Sequence, residues 1–97
     1  MKEKAQKLLN ICIKNNLKIS LAESCTGGMV SSQIVSIPLA SSVFQYGLIT
    51  YSNESKRKLL QVPRSILTKY GAVSKQTAES MVEGLLDLSK ADFCIAI

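Results

Sequence analysis

The sequence predicts an α/β fold: a mostly parallel sheet covered by helices in three α/β/α layers. Three observations lead there. Short apolar, β-branched segments alternate with stretches of helical periodicity, and strands that alternate with helices pair in parallel through crossovers. The composition, 46% hydrophobic and 20% charged over 97 residues, suits one small globular domain with a single modest core. No apolar run approaches the ~20 residues of a membrane span. The opening "MKEKAQKLLNICIKNN" is charged and amphipathic, without the apolar centre and cleavage site of a signal peptide. A cytoplasmic protein with no membrane partner is therefore expected.

Ala5, Leu8, Leu9, Cys12 and Ile13 recur at the spacing of a helix with one buried stripe, which Asn15-Asn16 ends. "LKISLA" (17–22) then reads as a buried strand. After Gly27-Gly28, the spacing of Val30, Ile34 and Ile37 predicts a helix over 28–37, stopped by Pro38. "SVFQYGLITY" (42–51) is the most strand-like stretch, rich in aromatic and β-branched residues. A helix follows, capped by Ser52 or Asn53 and broken at Val62-Pro63. A short helix runs from about Pro63 to Tyr70 and is closed by Gly71. Ser74 caps the next helix, whose stripe is Ala78, Met81, Val82, Leu85 and Leu86. Gly84 costs this helix roughly 1 kcal/mol relative to alanine, which marks a close contact there. "ADFCIAI" (91–97) closes the chain as a further buried strand.

Cys12, Cys25 and Cys94 are odd in number and far apart, and the chain has no histidine, so neither a zinc site nor a disulfide framework can be assembled. Cys12 and Cys94 lie in apolar company as core thiols. The net charge of +5 raises nucleic acid as a partner, but the lysines spread along a helix face, and arginine-aromatic interleaving is missing. A solvated basic face explains the charge better, and an anionic small substrate is equally compatible with it.

Chemistry concentrates in "LAESCTGGMV" (21–30), where a strand gives way to a helix. Ligands of open α/β sheets sit beyond the carboxyl ends of the strands. Gly27 and Gly28 permit a tight turn, and free N–H groups at a helix start favour a phosphate or a developing oxyanion. Ser24, Cys25 and Thr26 are the candidate nucleophiles. Without histidine, a serine must take its base from a lysine, a tyrosine or a carboxylate such as Glu23. If the first two strands are neighbours, "YSNESK" (51–56) brings Tyr51 and Lys56 towards Ser24. A lysine whose pKa is lowered by burial can deprotonate a serine. The plain structural alternative makes Lys56 a solvated helix lysine and Tyr51 a packing residue.

"AESCTGG", "YSNESKRKLLQVP" and "YGAVSKQTAESM", in this order and spacing, resemble the CinA C-terminal-domain family, which contains the nicotinamide-nucleotide amidases. The resemblance runs from about Lys18 to the end and makes residues 1–97 a single, partial domain of that kind. It implies hydrolysis of the carboxamide of nicotinamide mononucleotide to nicotinic acid mononucleotide and ammonia, without metal or cofactor. It assigns Ser24 as nucleophile, Lys56 as its activator and Tyr51 as the accompanying catalytic tyrosine. Cys25, Thr26, Gly27, Gly28 and Asn53 become the substrate-binding positions.

Two departures from the family pattern carry expectations of their own. "SIPLASSVF" (36–44) is one residue longer than the usual turn, with Ala40 in place of glycine, and is expected to alter a loop near the site. The family continues past the strand at 91–97 with a glycine-rich loop and later strands, which this sequence lacks, so an open edge and self-association into a dimer are expected. The alternative function is an inactive, truncated member serving as a small binding or oligomerisation module.

Overall fold

The computed structural model describes residues 2–97. Helix α1 (Lys2–Asn15) leads into strand β1 (Ile19–Glu23), followed by α2 (Met29–Val35), a 3-10 turn (Ala40–Ser42) and β2 (Phe44–Ile49). Helices α3 (Asn53–Leu60), α4 (Arg64–Tyr70) and α5 (Lys75–Ser89) come next, and β3 (Phe93–Ala96) is last. The sheet has three parallel strands in the order β2-β1-β3. The neighbouring of the first two strands, on which the approach of Lys56 to Ser24 depends, is therefore met.

Alternation along β1 divides the core. Ile19 and Leu21 face Leu9 and Cys12 of α1 and Ile34 of α2. Ala22 faces the other way, toward Leu60, Val62, Leu67, Met81 and Leu85. All five β1 residues are buried, as a strand with helices on both faces requires. Each fully buried leucine in these layers contributes roughly 2 kcal/mol. The layering is the expected α/β/α arrangement.

Several boundaries follow visible local chemistry. Ser52 Oγ accepts the Ser55 N–H at 3.0 Å and Ser74 Oγ the Thr77 N–H at 3.1 Å, so both are N-caps. Gly84 packs directly on the end of α3, since a Cβ there would lie 1.8 Å from the Leu60 carbonyl oxygen. Three expectations need correction. Ile13 and Leu86, placed on buried stripes, are 40% and 38% exposed, because the facing surface is narrower than the apolar pattern. β3 lies at the open edge expected there, but it is not the buried strand its apolar run suggests, and Phe93 is 50% exposed. Cys94 is only half-buried, while Cys12 is fully enclosed. Burial raises the pKa of both thiols; the charge of Asp92 adds to this at Cys12, and the Ser89 hydroxyl partly offsets it at Cys94.

Candidate active site

The carboxyl ends of β1 and β2 create the site. Thr50 donates its N–H to the Glu23 carbonyl at 2.8 Å, continuing the ladder past the last paired residues. Ser24 follows and donates its N–H to the Ile97 carbonyl at 2.6 Å, so both neighbouring strands hold the chain where it turns. Beyond β2, Ser52 starts α3, and one turn into this helix Lys56 points back under the strand ends.

Lys56 is a fully buried lysine, with 0% of its surface exposed. Its Nζ lies 2.9 Å from Ser24 Oγ, 2.8 Å from the Thr50 carbonyl and 3.1 Å from the Tyr51 carbonyl. Burial lowers its pKa from the ordinary lysine value, and the nearby Cys25 opposes this only in part. The arrangement has a chemical consequence. A neutral amine has two hydrogens and one lone pair. Protonated, Lys56 donates to both carbonyls and to Ser24 Oγ; as the neutral amine it keeps its two hydrogens for the carbonyls and can turn its lone pair to the Ser24 hydroxyl. The solvated-lysine alternative is excluded by this burial.

Tyr51 enters differently from what its sequence position suggests. Its side chain is 75% exposed, and it is the main-chain carbonyl that meets Lys56. The phenol makes no hydrogen bond among the described residues. Asn53 is exposed at the first turn of α3 and faces a groove toward α4 instead of Ser24. Cys25 is an exposed thiol on the turn.

The turn at 25–28 corrects the expectation of open N–H groups at the start of α2. Glu23, fully buried, occupies that position. Its Oε1 accepts the Thr26 hydroxyl at 2.6 Å and the N–H groups of Gly28 and Val30 at 3.1 and 3.0 Å. Its Oε2 accepts the Ser31 N–H at 2.8 Å and the Ser31 hydroxyl. Burial alone raises this carboxyl, but the Ser31 and Thr26 hydroxyls and the backbone N–H groups outweigh it and hold the pKa at about 2. Glu23 is thus a fixed anion and not a base for Ser24. Gly27 donates its N–H to the Ser24 carbonyl at 3.2 Å. Only the Cys25 and Thr26 N–H groups of the turn lack an acceptor among the described residues. Gly28 holds φ at +103°, with the Ile49 side chain 3.0 Å from where a Cβ would stand, so a larger residue is excluded twice.

Sequence reasoning missed the capping role of Glu23 and the two carbonyl acceptors. An acidic residue four positions before a Gly-Gly helix start was the only available signal. The longer 36–44 segment proves remote from the site. It precedes β2 at the amino ends of the strands, where Ile19 donates to the Val43 carbonyl at 2.9 Å, so its expected influence on the site is withdrawn.

The fold and this turn define a parallel α/β domain in which a buried lysine faces a serine at the sheet's carboxyl end. The chain belongs to the CinA C-terminal domain family, whose model matches residues 1–97. A CinA-like protein of Thermotoga neapolitana is 49% identical over 96 residues, covering 98% of this chain and 24% of its own length. The crystal structure of the competence/damage inducible protein CihA from Agrobacterium tumefaciens superposes with a TM-score of 0.95 at 40% identity, over 98% of this chain and 58% of that one. The competence damage-inducible protein A of Klebsiella pneumoniae gives the same TM-score at 32% identity, over 98% and 59%. The chain therefore spans about a quarter of that curated relative and under two thirds of these solved chains. No helix among the described residues is long and apolar enough to cross a membrane.

Proposed function

We propose that this domain hydrolyses the carboxamide of nicotinamide mononucleotide, with Ser24 as nucleophile and Lys56 as its base. The carrying observation is the fully buried Lys56, with two carbonyls on its hydrogens and Ser24 Oγ at 2.9 Å. Lys56 takes the Ser24 proton as Oγ attacks the amide carbon. The negative charge of the tetrahedral oxygen is met by the N–H groups of Cys25 and Thr26, the two donors of the turn left free. Lys56 then returns the proton to the departing nitrogen, ammonia leaves, and water attacks the acyl-serine by the same proton route in reverse. Tyr51 serves through its carbonyl, and Cys25 supplies its main chain and a small side chain at the rim.

The test is ammonia release from nicotinamide mononucleotide by the purified chain beside Ser24→Ala and Lys56→Met. Turnover that vanishes in both variants is the expected result. Unchanged turnover in either removes that residue from the mechanism, and folded wild-type protein without turnover refutes the reading for this chain. A second reading, a non-catalytic module that self-associates as a dimer, draws on the open β3 edge with exposed Phe93 and Ile95. Sedimentation of the folded chain as a monomer at high concentration counts against it.

A further inference from the structure

The N–H groups of Gly28, Val30 and Ser31, which would ordinarily cradle a phosphate at the start of α2, already serve the Glu23 carboxylate. Three cations, Arg57, Lys58 and Arg64, meet instead in the groove between α3 and α4. Asn53, Glu54, Arg57, Lys58, Arg64, Leu67 and Thr68 line a space of about 470 Å³, within the usual range of small-molecule sites. Of its charged groups, Glu54 is committed to Lys58 at 3.1 Å. Arg57 and Arg64 have no carboxylate partner among the described residues.

Two features fix the backbone that carries these exposed arginines. The connection between the helices is short and fixed: Gln61 takes φ +59°, Val62 is buried, and Pro63 is the N-cap of α4. Leu60 and Leu67 anchor the facing ends in the core. A pair of unpaired guanidinium groups on a rigid corner, flanked by the amide of Asn53 and the hydroxyl of Thr68, presents planar paired donors. That chemistry matches a tetrahedral dianion. We infer that the α3–α4 groove is a binding site for a phosphomonoester, with Arg57 and Arg64 as its principal ligands.

The source of the phosphate is either the nucleotide substrate itself or a second phosphorylated small molecule. Only the first of these rests on the amidase reading. Binding is measured calorimetrically with inorganic phosphate and with ribose 5-phosphate, for the wild-type chain, for Arg57→Gln/Arg64→Gln, and for Lys14→Gln on distant α1 as a control for net charge. The expected result is saturable binding that weakens about tenfold or more in the double variant and is unchanged in the control. Absence of binding to the wild type, or equal weakening in the control, overturns the site whether or not the chain is an amidase. Given binding, the KM for nicotinamide mononucleotide separates the sources. A rise in the double variant with unchanged kcat places the substrate's own phosphate in the groove. An unmoved KM, or a chain without turnover that still binds ribose 5-phosphate through the arginines, assigns the groove to a separate phosphorylated ligand.

Discussion

Two buried ionisable side chains lie at the same end of the sheet, on its opposite faces, and the fold treats them differently. On the α2 side, Glu23 receives donors from Thr26, Gly28, Val30 and both groups of Ser31, and its pKa is held at about 2. On the α3 side, Lys56 meets two carbonyls and one hydroxyl, with no carboxylate among its hydrogen-bond partners, and burial lowers its pKa. The first charge is fully solvated by hydrogen-bond donors of the protein. The second is desolvated with no carboxylate beside it, which favours the neutral form that a base requires. The difference lies in partner count and polarity rather than in depth, since both side chains are fully enclosed.

This contrast can be broken most forcibly at Lys56. Replacing it with methionine should lower amide hydrolysis about 10³-fold, the scale of a lost general base, as read by ammonia release. The same variant should unfold in urea at a concentration equal to or above that of the wild type, because an apolar stem replaces a buried amine. A marked loss of stability would show Lys56 to be a structural group like Glu23.

Glu23→Ala should do the opposite and destabilise the chain by about 3 kcal/mol, since five donors lose one acceptor. Urea denaturation at neutral pH measures it, and a change under about 1 kcal/mol would remove the distinction between the two sites.

Acid and alkali separate the pair further. Glu23 binds a proton more weakly folded than unfolded, so its contribution, on the order of 3 kcal/mol, is complete above the unfolded value of 4.5 and disappears as pH falls toward about 2. Lys56 is also more readily protonated when unfolded, so its own effect raises stability with pH up to the unfolded value of 10.5. Hydrolysis should follow the neutral amine, rising with pH and reaching its plateau below 10.5. In Lys56→Met the alkaline gain in stability should vanish while the acid loss persists.

Smaller effects sharpen the picture. Ser31→Ala removes one donor to Glu23 and should cost about 1 kcal/mol in denaturation, with turnover retained. Tyr51→Phe should change kcat less than about twofold, since the carbonyl that meets Lys56 is untouched. A large drop would return the phenol to the mechanism.

The parts of this molecule that were legible in the sequence are those written in periodicity and local chemistry. Ser52 and Ser74 announce their caps, Gly84 its close contact, and "AESCTGG" with "YSNESK" the pair of strand ends that meet. Other features depend on the chain's return through space. Ile13 and Leu86 satisfy the helical period, but no partner surface reaches them. Tyr51 was chosen by its phenol, whereas the group that meets Lys56 is its backbone carbonyl, which any residue could supply. Glu23 looked like a spare carboxylate because sequence spacing does not count donors. The 36–44 loop was misplaced because nearness in sequence to a site does not say at which end of a strand the loop emerges.

Gly84 has a reach beyond its own packing. Leu60 is one helical turn beyond Lys56 on α3, and a methyl group at 84 would collide with the Leu60 carbonyl at 1.8 Å. Anything larger than hydrogen would act as a wedge behind α3, displacing the helix that carries Nζ and opening the 2.9 Å gap to Ser24. The spacing of Lys56 and Ser24 thus depends on a position on another helix, where the lack of a side chain serves alignment as well as stability.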